Sequence, residues 1–74
     1  MSNIVTAVGR RVRELRIMSR LTQEQLAERA QISISFLSMI ERGERAPHLE
    51  TLQKLAAGLE VQIEELFRQN VARN

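Results

Sequence analysis

The polar side chains between Leu21 and Arg45 can bind another molecule, but they do not form the pattern of a catalytic site. Serine hydroxyls donate or accept hydrogen bonds and arginine guanidinium groups bind phosphate, so this stretch suits a polar or anionic partner. Catalysis would need a nucleophile beside a base, whereas the 74 residues contain no Asp, no Cys and one histidine, His48. We therefore predict that the protein is not an enzyme, and we predict no cofactor, no metal site and no small-molecule ligand.

Two short helices joined by a tight turn are predicted to position these side chains. Thr22 is a typical N-cap, and Gln25 stands three residues later, where the two side chains can close a capping box. Ala27 is small enough for a second helix to cross closely. Ser33 offers the second N-cap, and Gly43 suits the end of the second helix. The pattern predicts a helix-turn-helix.

Apolar residues at helical spacing predict further helices on both sides of this motif. The first is predicted from about Asn3 to Met18, and the fourth from about Leu49 to Ala57, with Gly58 as its C-cap. The predicted inner faces of these two helices contain Ile4, Val8, Val12, Leu15, Leu49, Leu52, Leu55 and Ala56.

A fifth, short helix is predicted after Leu59, with Glu64 and Glu65 in its first turn. The predicted fold class is all-α, a compact five-helix bundle in which helices 2 and 3 form the helix-turn-helix. A chain of 74 residues suits one domain. We place this domain at residues 1–70, with its C-terminal helix available for dimerisation, and expect residues 71–74 to be a frayed tail.

The net charge of +2 is unevenly distributed along the chain. Residues 1–45 contain eight arginines and five glutamates, whereas residues 46–74 contain three basic residues and four glutamates. This asymmetry favours a polyanion as the partner of the N-terminal part, although chance placement of solvated charges gives the same counts. No apolar run approaches the ~20 residues of a membrane span, and no signal peptide is recognisable. We therefore expect a cytoplasmic protein that does not contact membranes.

Four runs of residues resemble the Cro/CI-like (XRE-type) helix-turn-helix transcriptional regulators. They are TQxxLA from Thr22, the pair Ile32 and Ser33, FLSxIERGER from Phe36, and HLETLxKLA from His48, and the resemblance covers nearly the whole chain. It implies a phage-repressor-like fold in a bacterial or phage protein that binds double-stranded DNA sequence-specifically and regulates transcription. The short chain also resembles the stand-alone controller proteins of restriction-modification systems and small Cro-like repressors of phages.

The resemblance places the second motif helix in the major groove, with neighbouring polar groups on the phosphates. The implied base contacts are Ile34, Ser35, Ser38 and Met39, and the implied phosphate contacts are Thr22, Gln23, Ser33, Arg42 and Arg45. Ile34 and Met39 offer only apolar contact, which suits a thymine methyl, so we expect few base-specific hydrogen bonds. The alternatives are that this apolar pair lies beneath a partner protein and that the arginines are solvated loop charges.

The resemblance also implies two contacts within or between protein chains. One is a structural ion pair between Arg16 and Glu41, for which two separate surface charges are the alternative. The other is homodimerisation through Val61, Ile63 and Phe67, since one small helix cannot hide all the apolar residues at this end. Such a dimer would bind an inverted-repeat operator with half-sites about 34–36 Å apart. If these residues are instead core of the monomer, they form no such interface.

Two residues of the motif need a specific environment. Gln31 stands in the turn where the family commonly has glycine, so a positive φ there would cost roughly 1 kcal/mol. Phe36 can belong to the core or to its rim, and we expect it in the core.

The alternative function is a protein-interaction module, for instance an antitoxin that uses the same fold to bind a protein through its apolar residues. RNA binding is disfavoured because the chain has no Tyr or Trp and both phenylalanines lie among apolar neighbours. An RNA reader needs exposed rings on which bases can stack.

Overall fold

The computed structural model describes residues 3–68. Within that range the chain forms four α-helices, which are α1 (Ile4–Met18), α2 (Gln23–Ala30), α3 (Ile34–Glu41) and α4 (Leu49–Leu59), followed by one 3-10 helix (Ile63–Phe67). The all-α class and the helix-turn-helix formed by α2 and α3 are confirmed. The expected fifth α-helix is wrong, because a segment of only five residues adopts the tighter 3-10 form that is common in short pieces. The expected domain end at residue 70 and the tail at residues 71–74 lie outside the described residues.

Polar side chains cap the first three helices, and the caps at Thr22 and Ser33 are the predicted ones. The Asn3 side chain accepts a hydrogen bond from the Thr6 amide at 3.1 Å. Thr22 and Gln25 close the capping box, with the two side chain to backbone bonds at 3.0 and 2.9 Å. Ser33 accepts from the backbone amide of the residue three positions later, at 3.0 Å. Each cap satisfies backbone donors that a helix start leaves unpaired, and so the limits of α2 and α3 are locally encoded.

The core lies where α1 packs on α3 and where α2 packs on both α3 and α4. The residues that are at least 98% buried are Val12, Leu26, Ala27, Ala30, Leu37, Ile40, Leu55 and Leu66. They come from all four α-helices and from the 3-10 helix, so the bundle has a single apolar centre.

Two glycines permit close approach between helices. A Cβ on Gly9 would overlap the carbonyl oxygen of Ile40, which shows that α1 crosses α3 too closely for a side chain at this position. Gly58 was expected to cap α4, but it lies inside the helix and faces Leu26 and Arg29 of α2. The helix continues to its C-cap Glu60, which has φ 60°. Gly58 therefore serves helix packing and not chain reversal.

The predicted inner faces of α1 and α4 are wrong at their first turns. Ile4 is 62% exposed and Leu49 is 71% exposed, whereas the later members of both stripes are buried. Periodicity identifies an apolar face, but it does not show whether a neighbouring element covers the end of that face. These two residues instead contribute to an exposed apolar region.

A buried ion pair connects the first three helices. Arg16 donates from Nε and Nη2 to the carboxylate oxygens of Glu41 at 2.7 and 3.2 Å, and its Nη1 donates to the carbonyl oxygen of Leu21 at 2.8 Å. Gln23 adds a bond from its side-chain amide to Glu41 at 3.0 Å. The side chains of Arg16 and Glu41 are only 12% and 2% exposed. The network therefore holds the end of α3 against α1, the turn after α1 and the start of α2.

Replacing Glu41 by alanine should reduce the free energy of unfolding by about 3–5 kcal/mol, because Arg16 would keep a charge in a largely buried place without its partner. Urea denaturation followed by far-UV circular dichroism measures this change. Glu60→Ala is the matched control, since Glu60 is 82% exposed and lies 3.9 Å from Arg29. Exposed pairs of this kind contribute about 1 kcal/mol or less. Equal, small losses in the two variants would show that the buried pair does not organise the fold.

Candidate nucleic-acid interface

The helix α3 has one buried face and one face open to solvent. Leu37 and Ile40 are fully buried, whereas Ile34 is 46% exposed. Ser35 is exposed, and Ser38 and Met39 are half-buried. Positions 34, 35, 38 and 39 share one side of a helix by their spacing, so the four expected base contacts lie together. This outer face presents two hydroxyls and two apolar side chains.

The starts of α2 and α3 place hydroxyl groups next to unpaired backbone amides. The hydroxyl oxygens of Thr22 and Ser33 each accept a capping bond, and each hydroxyl proton can still be donated to another acceptor. Helix N-termini combine such donors with the positive end of the helix dipole, and this combination favours phosphate. The side chain of Gln23 makes its contact inside the protein, because its amide donates a hydrogen bond to the buried Glu41 carboxylate.

The turn between α2 and α3 places Gln31 at a positive φ, which is unfavourable for a residue with a side chain. Gln31 adopts φ 60° and ψ 41°, in the left-handed region. The backbone amide of Ile32 then bonds to the carbonyl of Ala27 at 3.0 Å, and Ile32 packs against the core. Glutamine thus accepts a strain of roughly 1 kcal/mol that glycine would avoid, and the bonds of the turn offset it.

The half-buried Ser38 of α3 forms a cluster with Arg42 and Glu44, which are exposed at the end of the helix and in the loop after it. Arg42 donates from Nε and Nη2 to the two carboxylate oxygens of Glu44 at 2.9 and 3.0 Å, and its Nη1 donates to the Ser38 hydroxyl oxygen. The hydrogen bond from Arg42 lowers the pKa of the Glu44 carboxyl below its ordinary value, so this group is ionised at neutral pH. The positive φ of Gly43, 75°, turns the chain between the two partners. Sequence reasoning missed Glu44, because two charges flanking a glycine do not by themselves show a pair.

Arg45 is held in a different way from Arg42. Its guanidinium lies over the ring of Phe36, 5.7 Å from the ring centre, at a distance typical of a cation–π contact. Phe36 is half-buried and packs against the core, so the expectation of a core residue holds for part of the ring only. The aromatic ring thus connects the core of α3 to a cation at its surface.

An apolar region lies at the start of α1, the start of α4 and the 3-10 helix. Phe67 is 47% exposed, whereas Val61 and Ile63 are half-buried and pack against the core. Ile4 lines a cleft together with Phe67, and Leu49 lies beside Ile63, so these two exposed side chains extend the region. The cleft has a volume of about 150 Å³ and is lined by Ile4, Val5, Val8, Ala46, Pro47, Leu52 and Phe67. Of the three candidates for a dimer surface, Phe67 is therefore the most available.

Within residues 3–68, no group of His and Glu side chains has an arrangement that could hold a metal ion. None of the helices in that range combines the length and the apolar character needed to cross a membrane.

Comparison with known proteins identifies the family. The helix-turn-helix family model HTH_3 matches residues 12–66. The chain is 45% identical over 56 residues to the immunity repressor protein of Bacillus phage phi105, covering 76% of this chain and 39% of that protein. It is 35% identical over 67 residues to the control protein C.BamHI of Bacillus amyloliquefaciens, covering 89% of this chain and 83% of that protein. The chain thus spans about two-fifths of the phage repressor's length but most of the controller's length.

The solved structures give the same result. The restriction-modification controller protein C.AhdI from Aeromonas hydrophila superposes with a TM-score of 0.83 at 38% identity, covering 85% of this chain and 96% of that one. The clp gene regulator ClgR from Corynebacterium glutamicum superposes with a TM-score of 0.84 at 26% identity, covering 89% of this chain and 86% of that one. These relatives are transcription regulators and not enzymes. The chain belongs to the Cro/CI-like (XRE-type) helix-turn-helix family of DNA-binding transcription regulators.

Proposed function

We propose that this chain is a sequence-specific regulator of transcription that binds an inverted-repeat operator as a homodimer, with α3 of each protomer in the major groove. The observation that carries the proposal is the outer face of α3, where Ile34 is 46% exposed beside an exposed Ser35. That face is bordered by the hydroxyl donors at the starts of α2 and α3 and by the cations that follow α3. Such an arrangement matches a groove between two phosphate backbones.

The chemistry of this face predicts weak direct readout of bases. Ile34 and Met39 have no hydrogen-bonding atoms suited to a base edge, and their apolar surface favours a thymine methyl group. The hydroxyl of Ser35 donates or accepts, so one serine distinguishes poorly among bases. Specificity then depends on using two half-sites and on the shape of the DNA between them.

Phosphate contacts supply the larger, sequence-independent part of the affinity. The candidates are the helix starts at Thr22 and Ser33 and the two arginines of the loop, Arg42 and Arg45. Gln23 supports phosphate binding in two ways. Its side chain is bonded to Glu41 of the ion pair, and its backbone amide lies at the start of α2. Because each arginine that neutralises a phosphate releases counterions, binding should weaken steeply with added salt.

The apolar region that contains Ile4, Leu49 and Phe67 is the proposed dimer surface, and its occupant is a second copy of the chain. Three large apolar side chains between 47% and 71% exposed within one small domain favour burial in a partner. A self-complementary patch forms a closed dimer with twofold symmetry. Two recognition helices related in this way would reach half-sites about 34–36 Å apart.

Selection from random duplexes tests the proposed function. The wild-type protein is incubated with a random duplex library at two salt concentrations, and the bound fraction is sequenced. We expect enrichment of a twofold-symmetric motif with half-sites one helical turn apart, with less DNA retained at the higher salt concentration. Folded protein that enriches no motif would contradict the proposal and would favour an antitoxin-like or other protein-binding role.

Selections with two single variants would separate base readout from phosphate binding. Met39→Ala should change the bases preferred at one or two positions of each half-site, because it removes an apolar contact. Arg45→Ala should preserve the motif and weaken binding to every sequence, since phosphate contacts do not distinguish bases. A Met39→Ala motif identical to that of the wild type would exclude Met39 as a base contact.

Sedimentation measured at a series of protein concentrations tests the proposed dimer surface. Phe67→Glu should raise the dimer dissociation constant by at least about tenfold, because two charges would replace two apolar groups in the interface. Met18→Glu is the matched control, since Met18 is an exposed apolar residue, 73% accessible, at the other end of α1. Equal dimerisation by the wild type and Phe67→Glu would contradict the proposed surface.

A further inference from the structure

We propose that Glu44 competes with DNA phosphate for the guanidinium group of Arg42 and so limits affinity for DNA of any sequence. The inference rests on the proposed function and names a residue that controls the affinity for DNA. Ser38, Arg42 and Glu44 form a cluster at the C-terminal end of α3 and in the loop after it.

The internal contacts of Arg42 occupy all three of its guanidinium nitrogens. Nε and Nη2 bond to the two carboxylate oxygens of Glu44 at 2.9 and 3.0 Å, which is a bidentate geometry, and Nη1 bonds to Ser38. A phosphate group presents its oxygens to the same guanidinium fork in a similar way. The Nε and Nη2 edge, through which a guanidinium can hold a phosphate, is therefore already bonded to an anion of this chain.

The backbone holds Glu44 in place for this contact. Its amide donates to the carbonyl oxygen of Met39 at 2.8 Å, and the amide of Gly43 donates to that of Ile40 at 3.0 Å. Gly43 has φ 75° and packs against Thr6 of α1, where a Cβ would come within 2.9 Å of the threonine hydroxyl oxygen. The loop that presents the carboxylate is thus tied to α1 and α3.

The pair is nevertheless open to exchange with another anion. The side chains of Arg42 and Glu44 are 55% and 54% exposed. A pair in contact with water is weakly held, so a phosphate can replace the carboxylate at small cost. Even after exchange, the ionised Glu44 stays next to the phosphate and repels it. Both effects reduce the contribution of Arg42 to binding, and neither depends on the base sequence.

Arg45 provides the contrast three residues farther along the loop. Its guanidinium lies over the apolar ring of Phe36 and not against a carboxylate. A cation on an aromatic face keeps its charge and its hydrogen-bond donors available at the ring edge. The two arginines therefore differ in how freely they can bind phosphate, and this difference comes from Glu44.

Titration of a labelled duplex with the Glu44→Gln variant tests the inference. We expect its affinity to rise by about two- to fivefold for each recognition surface, the range that corresponds to exposed ion pairs. The gain should be the same on a selected operator and on random duplex, because phosphate contacts carry no sequence information. The slope of log affinity against log salt should steepen by up to ~0.9 for each freed arginine. Glu60→Gln removes the same charge at the C-cap of α4 and should change neither quantity.

A double-mutant cycle identifies Arg42 as the residue through which Glu44 acts. In an Arg42→Ala background, Glu44→Gln should produce no gain. An equal gain in both backgrounds would overturn the inference, since general repulsion of DNA would then explain it. Weaker binding by Glu44→Gln would overturn it as well, because Glu44 would then position Arg42 for DNA.

DNA binding by the wild type distinguishes a failure of this inference from a failure of the proposed function. Binding by the wild type without any gain for Glu44→Gln would overturn the competition alone. A folded wild type that binds no duplex would overturn the proposed function and the competition together.

Discussion

The charge of Glu41 is the constraint on which the arrangement of the helices depends. A carboxylate that is 2% exposed must be fully compensated, and the donors that compensate it come from Arg16 of α1 and Gln23 of α2. Arg16 also binds the carbonyl of Leu21 at the turn between these helices. A shift of α3 against either neighbour would break bonds to a buried charge, so α3 has one favourable position.

The outer face of α3, which we propose to contact bases, has a fixed position but few groups that could distinguish one base from another. Its placement is strongly determined, by the ion pair at one end of α3 and by the close crossing of α1 at Gly9. We expect its direct readout of bases to be weak, because Ile34 and Met39 offer no base-specific hydrogen bonds. A change in the sequence-independent attraction to DNA alters the affinity for every sequence by the same factor and leaves the ratio of specific to non-specific affinity unchanged. The proposed competition between Glu44 and phosphate for Arg42 therefore sets the strength of binding and not its specificity.

Much of the fold could be predicted from the sequence, because the residues at the ends of a helix determine where it begins and ends. Thr22 and Ser33 mark the helix starts through side chain to backbone bonds that involve residues three positions apart. The exposure of Leu49 was not predictable, since it depends on which element lies across the first turn of α4. Within the candidate interface, the Arg42 and Glu44 pair was missed because it depends on the path of the loop at Gly43, which has φ 75°. Local bonds are thus readable from the residues alone, whereas a contact with a distant neighbour, such as that of Arg16 with Glu41, was expected only from the family resemblance.

The surface that contacts DNA can be located directly from the amide chemical shifts of ¹⁵N-labelled protein. At constant protein concentration, the labelled chain is titrated with a duplex that contains its selected site. We expect the largest changes at the starts of α2 and α3 and in the loop after α3, at Gln23, Ile34, Ser35 and Glu44. Changes confined to the apolar region of Ile4 and Phe67 would contradict this expectation, because DNA would then bind away from α3.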